Sequence, residues 1–380
     1  MKKPKVVIVH EFLTQFGGAE KTLEAISEIF PEAPIHTARL NRNILSDSLK
    51  QRQIIAPTYN SLGRLSKYLF TFMMAPVFES MDFSDYDIVI SDGNTWNKGI
   101  LTKPHQLHIT YIHTPPRFLY KYSTESGKRN KWYLKVFFSY LDNLLRLWDY
   151  IAAQRPDNIL TNSKEVQSRI KKFYGRDSKV IYPPVDINIA PTQKSTKIEN
   201  PYYIAIGRLV KYKNFEILVQ AFNLLGEQLV IVGEGPMEKH LKSIAKENII
   251  FAGRASEQEK HNLLASSLGL INTVEDEDLG IVPIEAMSHG IPVLVHRSGG
   301  HLETVKENVT GVFFDEVTTE CLVKSFKDFD NAIRNKTFDR EKIINSVQQY
   351  SAQRFKQEFE NFVAQTWEIK AKATSDTQIN

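Results

Sequence analysis

The chain reads as an α/β protein made of two doubly wound domains. Short apolar strands alternate with helical segments along most of its 380 residues, the pattern of parallel sheets with helices on their faces. That length exceeds what one hydrophobic core usually organises, so two domains of about 150 to 200 residues are expected. A change in composition places the boundary. From Tyr182-Pro183-Pro184-Val185-Asp186 to Asn200-Pro201 the chain is rich in Pro, Thr and Lys and has no hydrophobic period, as an interdomain linker would be. The expected division is 1–185 and 186–350, with a last helical segment over about 351–369 and fraying from Lys370 onward.

In chain order, Lys5 to His10 reads as a first strand. It leads through Glu11-Phe-Leu-Thr-Gln-Phe-Gly17-Gly18 into an amphipathic helix ending near Ile29. A strand, a loop with adjacent glycines and a helix form an anion site at the carboxyl edge of an open sheet. Ile35 to Thr37, Ile88 to Ser91, His108 to His113 and Asn158 to Thr161 read as further strands. Three of them end in polar residues: Ser91-Asp92-Gly93-Asn94, His113-Thr114-Pro115-Pro116-Arg117 and Thr161-Asn162-Ser163. Of these, His113 is the candidate for chemistry, because Tyr111, Tyr120 and the prolines would hold it rigidly at a strand end.

Leu62 to Phe78 and Lys131 to Tyr150 mix bulky apolar residues with Lys and Arg. Each reads first as a core helix, and otherwise as an interfacial one. Between Leu101 and Val185 there are fifteen Lys and Arg against six Asp and Glu, an excess of nine positive charges in a chain whose net charge is +4. This basic half, which includes Lys128, Arg129 and Lys131, points to an anionic partner. The charge alone leaves a lipid surface, a pyrophosphate-linked acceptor and a nucleic acid open, of which an anionic membrane surface is expected and nucleic acid is not.

The strand signal resumes at Tyr202 to Gly207, Gln228 to Gly233, Ile249 to Ala252, Gly269 to Thr273 and Ile291 to Val295. Arg208 follows the first of these, and Lys213 lies five residues beyond it, just before a helix over Phe215 to Leu225. A guanidinium fork and an ammonium at one strand end suit a diphosphate. Val232-Gly233-Glu234-Gly235-Pro236 and Ser298-Gly299-Gly300-His301-Leu302-Glu303 each read as a glycine loop feeding a helix. Thr273 to Ala286, TVEDEDLGIVPIEA, carries Glu277 and Glu285 eight apart, with Asp278, Leu279 and Gly280 leading into a helix from Ile281 to His289. Pro283 in its first turn and Gly290 beyond it mark the ends. Its N-terminus favours anions or hydroxyl oxygens, with Glu277 in the loop beside them and Glu285 about a turn and a half further in.

Glu277 and Glu285, with the intervening DLGIVPI, resemble the paired-glutamate motif of glycosyltransferase family 4, retaining sugar-nucleotide transferases of the two-domain GT-B fold. EDEDLGIVPIEAMSHGIPVL is particularly similar to bacterial mannosyltransferases that build polysaccharides on lipid carriers. The Arg208-Leu-to-Lys213 spacing recurs in that family. YIHTPPRFLY resembles its polysaccharide mannosyltransferases, and Gly17-Gly18-Ala19-Glu20-Lys21 its N-terminal glycine loop. The resemblance is strongest over Tyr202 to Phe314 and moderate at Gly17 to Lys21 and Tyr111 to Arg117. Leu279 stands where the motif often has Phe.

The resemblance implies two Rossmann-like domains facing across a cleft, with the last helix crossing back onto the first. It implies transfer of a hexose, mannose from GDP-mannose as the leading choice, to a saccharide acceptor, lipid-linked, without a metal or other cofactor. Arg208 and Lys213 would hold the diphosphate, Glu285 the ribose, and Glu277 with Asp278 and the backbone at Leu279 and Gly280 the sugar. Gly253 and Arg254 would lie along the base, Gly17 and Gly18 where acceptor and pyrophosphate meet, and His113 near the transferred sugar. A UDP-sugar donor, a sugar-nucleotide epimerase and a non-catalytic saccharide binder are the alternatives. The four-residue apolar run Val6 to Val9 is too short for a signal peptide, no stretch approaches a membrane span, and the single Cys321 fits a reducing compartment. The expected place is the cytoplasm, peripheral to the inner face of the plasma membrane.

Overall fold

In a computed structural model, residues 3–57, 67–120, 132–188, 190, 198 and 201–379 are described. They form two compact units. One comprises the chain up to Pro184 together with Ala352 onward, and the other comprises Val185–Ser351. Within the linker region, residues 189, 191–197 and 199–200 lie outside the described residues.

The first unit holds a seven-stranded parallel sheet: β1 (Val6–Leu13), β2 (Ile35–Leu40), β3 (Ile54–Ile55), β4 (Ile88–Gly93), β5 (Leu107–Ile112), β6 (Asn158–Thr161) and β7 (Lys179–Val180). Its order is β3-β2-β1-β4-β5-β6-β7. β4 and β5 are buried along their whole length, as central parallel strands covered on both faces must be. The strand order reverses between β1 and β4, and an open α/β sheet binds ligands at the carboxyl end of such a switch. β1 continues three residues past His10, because Phe12 and Leu13 pair with Arg39 and Leu40 of β2.

One face of this sheet is covered by the helix Gly18–Ile29 and by the helix Ala352–Ile379. Phe355, Phe359 and Val363, four residues apart, lie on one side of the second helix and join Ile8, Leu23, Ile26 and Tyr111 in a single core. Fraying is expected from Lys370 onward. The helix runs on to Ile379, and Lys370 pairs with Asp157 at 2.8 Å.

The opposite face is covered by the helices Lys67–Glu79 and Trp132–Ala152, through Met74, Phe78, Leu145 and Trp148. The second of these also keeps an apolar stripe in solvent, formed by Tyr140, Leu144, Leu147 and Ile151, with Tyr150 beside it. The start of the Leu62 to Phe78 stretch, and Lys128, Arg129 and Lys131, lie outside the described residues. No helix among the described residues is long and apolar enough to cross a membrane.

The second unit holds a six-stranded parallel sheet: β8 (Tyr203–Ile206), β9 (Leu229–Val232), β10 (Ile249–Gly253), β11 (Gly269–Asn272), β12 (Val293–His296) and β13 (Gly311–Phe314). Its order, β10-β9-β8-β11-β12-β13, puts the reversal between β8 and β11. The helix Phe215–Leu225 stops at Gly226 with φ +74°, a left-handed residue that glycine adopts without penalty. Its Leu218, Val219 and Phe222 pack with Phe326 and Phe329 of the helix Thr319–Arg334. Both units are therefore doubly wound and Rossmann-like.

Candidate active site

In the second unit the loops leaving β8 and β11 meet at the switch point. After Gly207 and the exposed Arg208, Lys211–Lys213 make a single 3-10 turn, and Asn214 caps the next helix in a left-handed conformation. Two hydrogen bonds fasten this turn to the end of β11. Thr273 Oγ1 donates to the Lys213 carbonyl at 2.8 Å, and Asn214 Nδ2 donates to the Thr273 carbonyl at 3.1 Å. The Lys213 ammonium lies over Gly207, 3.4 Å from where a Cβ would stand. At the end of β9, Gly233 is equally constrained, since a Cβ there would meet the Gly207 carbonyl oxygen at 2.1 Å.

The loop from Val274 to Gly280 is held by the turn after β12. The Asp276 N–H donates to Ser298 Oγ at 2.9 Å, and the Gly300 N–H to the Glu277 carbonyl at 2.8 Å. A side chain at Gly300 would come within 2.4 Å of the Leu279 Cα, so the two loops touch backbone to backbone. Leu279 anchors the loop from beneath, being 2% exposed. Gly280, at φ +90°, caps the helix Ile281–Ser288, whose first N–H groups have no partner within the helix. Glu277 and Asp278 lie half-buried in this loop.

Glu285 lies within the protein rather than at the loop. It is 2% exposed, and its Oε1 accepts from Lys260 Nζ at 2.8 Å. Lys260 also binds Glu257 at 3.0 Å. Ligand atoms of Glu257, His261 and Glu285 lie within 4.8 Å of one another, as a metal would require, but the Lys260 ammonium already binds both carboxylates. Beside them His261 Nδ1 meets His289 Nε2 at 2.7 Å. Burial, aided by the charges of His261, Arg340 and Lys260, lowers the His289 pKa to about 4.

His301 is a further polar residue of this site. It is fully buried, and its Nδ1 lies 3.0 Å from the His296 carbonyl, which fixes the proton there. Nε2 has no partner. It lies beneath Gly280, where an added Cβ would stand 3.4 Å away. Burial holds the ring below its ordinary pKa, against the Glu277 charge and with that of Lys213. His301 therefore lies within electrostatic reach of both Glu277 and Lys213.

Of the residues expected in this unit, the structure groups Lys213, Glu277, Asp278, Leu279 and Gly280, with Arg208 at the same strand end. Gly253, at φ +68°, and the exposed Arg254 stand two strands away, at the end of β10. The Gly253 carbonyl accepts the Gly233 N–H at 2.8 Å.

In the first unit the switch point carries a chain of three side chains. Asp92, at the end of β4 and fully buried, receives His10 Nδ1 on Oδ2 at 2.9 Å and His113 Nε2 on Oδ1 at 2.8 Å. Burial opposes its ionisation, but the two histidines outweigh this and hold the carboxyl below its usual range. Burial also opposes the charged form of His10, yet Asp92, Glu20 and Glu11 raise its pKa above the ordinary value. Tyr111 meets the His113 ring edge-on with centroids 5.1 Å apart. Gly17 caps the helix Gly18–Ile29 and donates its N–H to Glu20 Oε2 at 2.8 Å. The third polar strand end has a local role, since Ser163 Oγ caps the helix Lys164–Tyr174 through the Val166 N–H at 3.0 Å.

His10, Lys260 and His301 were not singled out by sequence. The only local signal was for His301, which directly follows a Gly-Gly pair.

Comparison with known proteins gives the class. Residues 188–344 match the family described as Glycosyl transferases group 1. The α-1,3/1,6-mannosyltransferase alg2 of Schizosaccharomyces pombe is 24% identical over 367 residues, covering 81% of this chain and 70% of that protein. Sucrose-phosphate synthase of Thermosynechococcus elongatus superposes with a TM-score of 0.76 at 13% identity, over 96% of this chain and 100% of the other. The Anabaena HepE protein in complex with UDP does so with 0.68 at 16%, over 94% and 100%. The structural likenesses show the GT-B fold, and the sequence matches support a glycosyltransferase.

Proposed function

We propose that this chain is a retaining family 4 glycosyltransferase moving a hexose, mannose from GDP-mannose, to a saccharide acceptor in polysaccharide or lipopolysaccharide biosynthesis. The supporting observation is the meeting of Lys213, Glu277 and the helix N-terminus at Gly280 around one switch point. A cation and a helix N-terminus suit a diphosphate, and a carboxylate beside them suits sugar hydroxyls. The mannosyltransferase relatives favour the choice of sugar.

In the proposed reaction Arg208 and Lys213 hold the diphosphate and stabilise the charge that develops on it as the bond to the anomeric carbon breaks. The acceptor hydroxyl attacks from the leaving-group side, a departing phosphate oxygen takes its proton, and the new bond forms on the face the old one left. Glu277, with Asp278 and the Leu279 and Gly280 backbone, holds the sugar. Glu285 serves the ribose, with Lys260 setting its orientation. Gly253 and Arg254 border the base, and Gly17 and Gly18 the acceptor. No metal is needed in this scheme, because side-chain cations neutralise the phosphates and Lys260 already neutralises Glu257 and Glu285.

The acceptor is proposed to be lipid-linked and the enzyme peripheral to the cytoplasmic face of the membrane. The exposed stripe Tyr140, Leu144, Leu147 and Ile151 supports docking to an anionic bilayer. In sequence, the segment from Leu101 to Val185 that contains it carries nine excess positive charges, a combination suited to an acidic lipid surface.

The test is incubation with GDP-mannose and a set of UDP-hexoses, with chelator present and saccharide acceptors supplied. Transfer from GDP-mannose with the anomeric configuration kept is expected. Preference for a UDP-hexose would overturn the donor, inversion the mechanism, and isomerised donor without transfer the whole reading.

A further inference from the structure

Asp92 is a costly residue to bury. A carboxylate with no exposed surface loses several kcal/mol of hydration, and packing at the end of β4 would be served by an apolar side chain. Its two oxygens are instead divided between two histidines, His10 at 2.9 Å and His113 at 2.8 Å. An ionised carboxylate only accepts, so each nitrogen facing it must carry a proton. For neutral His113 this decides the tautomer. With the proton on Nε2, Nδ1 is left as an acceptor, and it has no protein partner among the described residues.

The two histidines differ in access. His10 is 3% exposed and ends inside the sheet, whereas the His113 side chain retains 12% of its surface. His113 is also fixed from behind, by the edge of Tyr111 and by its own N–H donating to the Gly93 carbonyl at 3.2 Å. Only one end of the three-residue chain can meet a ligand.

We propose that Asp92, anchored by His10, holds His113 in the Nε2–H tautomer, so that Nδ1 accepts a hydrogen bond from a hydroxyl of the saccharide substrate. Asp92 and His10 are then positioning residues acting through His113. The inference rests on the transferase reading for the identity of that hydroxyl.

The test is ring-nitrogen NMR on the full chain carrying ¹⁵N-labelled histidine, with transfer kinetics on the same samples. In the wild type, His113 should show a protonated Nε2 and a bare Nδ1. Asp92→Asn offers one acceptor oxygen and two amide protons, so it cannot serve both histidines. His113 should lose its single tautomer, and kcat should fall roughly tenfold to a hundredfold. Affinity for free nucleoside diphosphate should change by less than about twofold, since Asp92 belongs to the first unit and Arg208 and Lys213 to the second. His10→Phe removes the donor to Asp92 and should reproduce the loss, while His10→Gln restores a donor and should recover most of it. A proton on Nδ1 of wild-type His113, or an Asp92→Asn enzyme of undiminished kcat, overturns the inference. The NMR needs no substrate, so a chain that transfers no sugar but shows the stated tautomer refutes the transferase reading and, with it, the saccharide hydroxyl.

Discussion

Lys260 Nζ lies 2.8 Å from Glu285 Oε1, and both side chains are largely withdrawn from solvent, at 12% and 3% exposure. Removing one partner of a buried pair leaves the other charge uncompensated, which typically costs about 3 to 5 kcal/mol, whereas replacing both with apolar groups can be neutral. Lys260→Met should therefore lower the urea midpoint strongly, and Lys260→Met with Glu285→Met should recover most of the loss. Calorimetry separates this structural role from the ribose role. If Glu285 binds ribose, the double variant stays stable yet binds free nucleoside diphosphate weakly, while Glu277→Ala binds it normally.

Arg208→Ala and Lys213→Ala should leave the melting temperature nearly unchanged, because Arg208 is exposed and Lys213 half-buried at a strand end. On the proposed reading each removes a donor to the leaving phosphate, a loss on the order of 2 to 4 kcal/mol in the barrier and at least tenfold in kcat. Steady-state rates with a saturating donor measure it. Near-normal turnover in either variant would withdraw the diphosphate assignment.

The pKa of His289, lowered to about 4, makes a statement about acid stability. The unfolded chain takes up this proton near pH 6.5 and the folded one only near pH 4. Protons thus favour unfolding as pH falls, and the stability present above pH 6.5 is lost progressively down to about 4. With solvent screening allowed for, this group should contribute about 1 kcal/mol, a shift of roughly 2 to 4 °C in Tm for a unit of this size. Melting curves across that window should fall less steeply for His289→Gln than for the wild type.

Leu144→Asp combined with Leu147→Asp tests the membrane proposal. Both side chains are exposed, at 43% and 58%, so folding should be unaffected. Burying one leucine in the bilayer interface contributes about 1.5 to 3 kcal/mol, and the double change should weaken sedimentation with anionic vesicles at least tenfold. Activity on a short soluble acceptor should remain. Wild-type binding should fall with salt, and binding that ignores both salt and the double change would assign the stripe another partner.

Local pattern carried much of the fold and part of the site. Asn158–Thr161 and Phe215–Leu225 were legible to the residue, because an apolar run between turn residues and a capped amphipathic helix are local signals. β3 and β7 have two residues each, too few for any period, and four-residue β13 was also missed. The loop Glu277 to Gly280 could be placed because its helix start is written in adjacent residues. Lys260, the partner of Glu285, could not, being 25 residues from it on a helix whose composition signals only solvent. His10 and Asp92 are 82 residues apart and become neighbours only through the β1–β4 reversal. Polar pairs made by topology leave no period in the sequence.

The helix Ala352–Ile379 makes the order of synthesis matter. Ile8, Leu23 and Ile26 leave the ribosome more than 300 residues before Phe355, Phe359 and Val363, which share their core. At roughly 5 to 20 residues per second, the intervening stretch keeps that apolar face waiting for about a quarter of a minute to just over a minute. During this interval Val185–Ser351 can fold from its own contiguous residues, while the earlier unit cannot complete its core. A nascent chain stalled before Phe355 should therefore present a finished second unit and a sticky first one, the form that chaperones recognise.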